Sequence, residues 1–159
     1  MNRILVAVAI LAALVPSVLL AQSNPFVGTW KLNTAKSKYS PGPAPQSTTA
    51  TYQAQGDGVK VSSDGTAGDG SRVAWSYTAN YDGKDNPISG TTTALNGADT
   101  VALKRINPNT TEATFKKAGR VVLTGRQVVS KDGKVMTITA KGTAANGQPI
   151  NRLLVEDKQ

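Results

Sequence analysis

The stretch RVAWSYTANYDG, residues 72–83, is where the fold becomes readable. Val73, Trp75, Tyr77, Ala79 and Tyr81 alternate with Arg72, Ala74, Ser76, Thr78 and Asn80, so an extended strand gains one aromatic face and one polar face. Asp82-Gly83 then supplies the positive φ that a tight hairpin needs. The same period of two recurs in both directions, in Val101, Leu103 and Arg105, in Ala113 and Phe115, in Met136, Ile138 and Ala140, and in Leu153 and Val155. Turn pairs separate these runs at Gly56-Asp57-Gly58, Asn107-Pro108-Asn109, Ala118-Gly119, Asp132-Gly133 and Asn146-Gly147. About nine or ten strands are predicted, over 27–32, 48–55, 58–63, 71–81, 87–90, 99–106, 110–117, 120–129, 134–142 and 148–156. No helical face is evident between 22 and 159, and the longest loop, 33–46, carries Pro41, Pro43 and Pro45. An open sheet of this size would expose two pairing edges, so the expectation is an all-β chain closed into a single up-and-down antiparallel barrel of about 8–10 strands.

The first residues read differently. Asn2-Arg3 gives a short positive start, and residues 4–20 are apolar apart from Pro16 and Ser17, ending at Ala21-Gln22. This is the pattern of a secretory signal peptide over 1–21, which leaves 22–159 as one barrel domain, exported to the periplasm or outside the cell. An uncleaved membrane anchor is the alternative, since the run approaches the roughly 20 residues that span a bilayer. An exported chain without cysteine must hold its fold by one sheet and one core rather than by disulfides.

Composition excludes several chemistries. With no His and no Cys, the usual general base, the thiolate nucleophile and most transition-metal ligands are missing, so neither an enzyme nor a metal site nor a cofactor is expected. The aspartates mostly sit beside Gly or Asn in predicted turns, where local backbone bonding accounts for them. Asp82-Gly83-Lys84-Asp85-Asn86 lacks EF-hand spacing. The net charge of +8 comes from 18 basic and 10 acidic residues scattered along the strands, without the basic clusters and stacking aromatics of a nucleic-acid site. Lys60, Lys104, Lys116 and Lys141 within predicted strands oppose an outer-membrane barrel.

Phe26-Val27-Gly28-Thr29-Trp30-Lys31-Leu32 resembles the first-strand signature of the lipocalin and fatty-acid-binding (calycin-type) barrel superfamily, and the chain is similar to small exported bacterial lipocalin-like proteins that open in the same way. The resemblance implies that Gly28 lets the first strand bend while Trp30 plugs one end of the barrel, with a late arginine across the indole. Arg152 is the first candidate for that arginine and Arg126 the second. Fatty-acid-binding members hold a carboxylate through two arginines and a tyrosine, the last two as Arg-x-Tyr on the final strand. Here that place reads Arg152-Leu153-Leu154, and residues 33–46 leave no room for the family's two-helix lid. An open mouth with the proline-rich loop at its rim fits the lengths better.

Two functions follow. One is binding of a small hydrophobic or amphiphilic ligand, with Trp75 and Tyr77 on the apolar wall and at least one of Arg105, Arg126 and Arg152 pointing inward to meet an anionic or strongly polar head. The other is a protein-interaction module, such as a barrel-type inhibitor of secreted proteases, with no small-molecule cavity. The interior decides between them: a continuous cavity of about 300 Å³ or more favours a ligand, and a packed one favours the outer surface.

Overall fold

The computed structural model describes residues 24–159; the leader expected over 1–21 lies outside them. Eleven strands follow one another: β1 (Gly28–Leu32), β2 (Lys38–Ser40), β3 (Ser47–Gln55), β4 (Gly58–Thr66), β5 (Arg72–Asn80), β6 (Asp82–Gly90), β7 (Thr100–Asn107), β8 (Thr110–Lys117), β9 (Arg120–Val129), β10 (Val135–Thr143) and β11 (Pro149–Lys158). From β3 to β11 each pairs antiparallel with the next, and β1 pairs with β3. β1 also meets β11, through Trp30↔Lys158, Lys31↔Asp157 and Leu32↔Glu156, which closes a ring of ten strands. β2 docks further along that same edge of β11, with Tyr39 opposite Arg152. Closure consumes the edges that an open sheet would expose.

Two elements differ from the sequence expectation. The short strand at 87–90 is the end of a longer one, β6, whose first residues Asp82-Gly83-Lys84-Asp85 are exposed and polar and so carry no alternation to read. Pairing between β5 and β6 is confined to Trp75–Tyr77 against Ile88–Gly90, and Pro87 has no N–H to extend it. The 33–46 segment, expected as loop throughout, contains β2. Its three residues are too few for a periodic signal. The one helical turn among the described residues, a 3₁₀ turn at Thr93–Leu95, forms part of the β6–β7 connection and buries Leu95.

The period of two sets the inside of the ring. Val59, Val61 and Ser63 on β4 face inward beside Ala79, Tyr77 and Trp75 on β5. On β9 the inward residues are Leu123, Gly125, Gln127 and Val129.

One end of the ring is packed shut. Trp30 is 0% exposed, and its Nε1–H donates to the carbonyl of Phe26 at 2.8 Å. Lys158, opposite Trp30 in the β1–β11 ladder, lays its Nζ 5.1 Å from the indole centroid. Gly28 makes this approach possible. Its φ is +139°, and a Cβ there would sit 2.5 Å from Cε of Lys158. Beside this plug, Arg105 stacks its guanidinium 3.9 Å from the Tyr81 ring centroid and 5.4 Å from that of Phe26.

The cation over Trp30 is therefore Lys158, not Arg152 or Arg126. β11 runs antiparallel to β1, so only its last residues meet the indole, and Arg152 lies six residues earlier, about 20 Å away along the strand.

Candidate functional site in the barrel interior

The other end is hollow. A cavity of about 300 Å³ opens beneath the proline-rich 41–46 segment, the Ala67–Ser71 turn and the 3₁₀ turn. Local sequence explains where the space comes from. Ala113, Gly125 and Ala140 stand side by side across β8, β9 and β10, all facing inward, and this row of small residues leaves unfilled volume against a wall of large ones. Trp75 and Tyr77 form part of the larger wall. They are successive inward residues of β5, with ring centroids 5.8 Å apart and planes inclined by 4°.

Arg152 ends that row, opposite Ala140 on one side and Tyr39 on the other. Its guanidinium lies 4.2 Å from the Tyr39 ring centroid, and Nη1 donates to the carbonyl of Ala94 at 2.7 Å. Nε is buried without a hydrogen-bond partner among the described residues. Burial holds the guanidinium below its ordinary pKa, with Tyr39 acting in the opposite direction. Burial likewise raises the Tyr39 phenol, against the pull of Arg152. The result is a half-buried cation at the cavity mouth, stacked on one aromatic face and with its buried Nε–H unspent.

At the inner end a hydrogen-bonded strut crosses the lumen. Gln127 on β9 donates from Nε2 to the Tyr52 hydroxyl on β3 at 3.2 Å and accepts from the Thr111 hydroxyl on β8 at 2.9 Å. Tyr52 and Gln127 line the cavity, while Thr111, Met136 and Trp30 lie below it. Burial drives the Tyr52 phenol well above its ordinary pKa, the nearby Tyr77 and Glu156 adding to the effect. The Tyr77 phenol is also raised, chiefly by burial. Both hydroxyls are neutral donors.

Glu156 belongs to this inner end. It is 3% exposed, lines the cavity, and has Oε2 buried with no hydrogen-bond partner among the described residues. Burial raises its pKa to about 7.

The structure thus gathers Trp75, Tyr77 and Arg152 around one cavity and places the other two arginines elsewhere. Arg105 has the inward parity of Leu103 but sits at the packed end, where Nη1 donates to the Pro108 carbonyl at 3.1 Å. Arg126 points outward and pairs with Glu112 at 2.7 Å on an exposed face. Apolar residues occur at both parities of β9, with Val121 and Val128 exposed and Leu123 and Val129 buried, so this strand's pattern gave no guide to Arg126. Sequence reasoning also missed Glu156, Tyr39, Tyr52 and Gln127. The alternation Ile150, Arg152, Leu154, Glu156 was the available signal for the glutamate, masked by the polar Asp157-Lys158-Gln159 that follows it.

No protein-family model and no curated protein sequence matches the chain. Among solved structures, zebrafish ileal bile acid-binding protein complexed with cholic acid is similar at a TM-score of 0.50, with 11% identity, over 85% of this chain and 99% of that one. Such low identity bears on the fold alone: the closed ring of ten antiparallel strands is similar to the barrel of that protein.

Proposed function

We propose that the protein binds a small apolar or amphiphilic molecule inside the barrel, with an anionic head held at Arg152, and that it does so after export, once residues 1–21 have been removed. The observation that carries the reading is a cavity of about 300 Å³ with a half-buried guanidinium at its mouth and one buried donor unspent. That volume falls at the lower end of the ~300–1,000 Å³ typical of ligand pockets. A cation stripped of much of its water gains more from an anion than an exposed one does. The likeness to a barrel that carries cholic acid, an amphiphile, supports the same class of ligand. The role is binding without catalysis.

Fluorescence titration with anilinonaphthalene sulfonate, an apolar fluorophore with an anionic head, tests the reading. It is run on the mature protein, whose first residue mass spectrometry of the exported fraction should place at Gln22 or Ser23. Saturable binding is expected, weakened at least about tenfold by Arg152→Gln, near the 1.4 kcal/mol of a lost charge-assisted bond. Arg126→Gln, on the outer face, should leave it unchanged. A folded wild type that shows no saturable binding overturns the proposal.

A further inference from the structure

Glu156 is a cavity-lining acid whose buried Oε2 meets no hydrogen-bond partner among the described residues. It shares the inward face of β11 with Ile150, Arg152 and Leu154, and its ladder partners, Leu32 on β1 and Met136 on β10, offer it no hydrogen bond. None of the ion pairs among the described residues includes it. A buried carboxyl left in that condition is costly unless something meets it. The groups turned toward the same region are Tyr52 on β3, Tyr77 on β5, and Arg152 and Lys158 on β11 itself. Lys158 is committed to the Trp30 face and the Pro25 carbonyl, and Arg152 to Tyr39 and Ala94. Tyr52 already accepts from Gln127 and keeps its own hydroxyl hydrogen to give.

We infer that the ligand has two polar ends: an anionic group at Arg152 and a hydroxyl at the inner end, held by Glu156 with Tyr52 as a second donor. The inference rests on the ligand-binding reading above and adds the chemistry of the ligand's leading end. Four residues of extended strand separate Arg152 from Glu156, about 13 Å, which a medium-length carbon chain can span. A hydroxyl suits the acid because it can accept from the protonated carboxyl and donate to its other oxygen. An ammonium suits it less well. It would have to pass the Arg152 cation at the mouth and give up its water on the way in.

The test compares decanoic acid with ω-hydroxydecanoic acid, each displacing anilinonaphthalene sulfonate from the wild type, Glu156→Gln and Glu156→Met. The ω-hydroxy acid should bind at least about tenfold more tightly to the wild type, against the order that hydrophobicity alone predicts. Glu156→Gln keeps a donor and an acceptor and should retain the preference, whereas Glu156→Met should reverse it. Equal affinities in the wild type, or a preference that survives in Glu156→Met, would overturn the inference while leaving the ligand-binding reading intact. Failure of both acids and the fluorophore to bind folded wild type would remove both. Should Glu156→Met not fold, Glu156→Leu takes its place with the same expected reversal, and equal affinities in the wild type overturn the inference in either case.

Discussion

Glu156 stands between Leu32 and Met136 in the ladders on either side, and those neighbours explain why its carboxyl keeps a proton up to about pH 7. The ordinary value is 4.5, so between these two pH values the unfolded chain releases a proton that the folded chain retains. Folding stability must then fall as pH rises through that window: the cost is absent below about 4.5 and complete above about 7. A shift of this size corresponds to about 3 kcal/mol. Glu156→Gln should flatten the dependence and be the more stable form at pH 8, with little difference from wild type at pH 4. Urea midpoints for both proteins across this range check it. Asp69 and Asp132, whose pKa values hydrogen bonds from Ser71 and Ser130 lower, push the other way at acid pH, but they are common to both proteins and cancel in the difference. Parallel curves for the two proteins would mean that the carboxyl reaches water in the folded state.

β9 shows how one element makes the hollow. Gly125 is its inward residue between Leu123 and Gln127, and a Cβ there would meet only the edge of the Phe115 ring, at 3.9 Å. No positive φ requires glycine at this position, in contrast to Gly28. Gly125→Val should therefore fit the strand, raise stability by roughly 0.5–1 kcal/mol through better strand propensity, and project methyl groups into the cavity. Binding of anilinonaphthalene sulfonate should drop sharply in the same variant. Higher thermal stability with undiminished binding would place the ligand away from this row. The element also marks the limit of sequence reading. Alternation finds strands because parity is local, and it found nearly all of them here, but β9 fills its inward face with a glycine and a glutamine and exposes two valines, so its parity had to come from its pairing with β8 and β10.

At the scale of the whole barrel, the quantity that the sequence hides is height. A period of two tells which face a residue occupies, yet whether that residue lies at the packed end or the open one depends on how β1 and β11 align when the ring closes, a contact between residues 30 and 158. Arg105 and Arg152 have the same inward parity and opposite fates for this reason, one stacked over Tyr81 in the plug and the other over Tyr39 at the mouth. The same alignment makes the plug decisive for stability. Trp30 lies where the first and last strands pair, donates a hydrogen bond to the Phe26 carbonyl and lies under Lys158, so its removal opens a void at the place where β1 and β11 close the ring. Trp30→Ala should lower stability by about 3 to 5 kcal/mol, seen as a large drop in denaturant midpoint. Lys36→Ala, on an exposed turn, should be near neutral. Lys158→Met keeps an apolar stem over the indole and should cost far less than Trp30→Ala, because most of the plug's contribution is buried area and not the charge over the ring. Equal midpoints for Trp30→Ala and Lys36→Ala would show that the ring closes without its plug, and that β1–β11 pairing alone holds the barrel together.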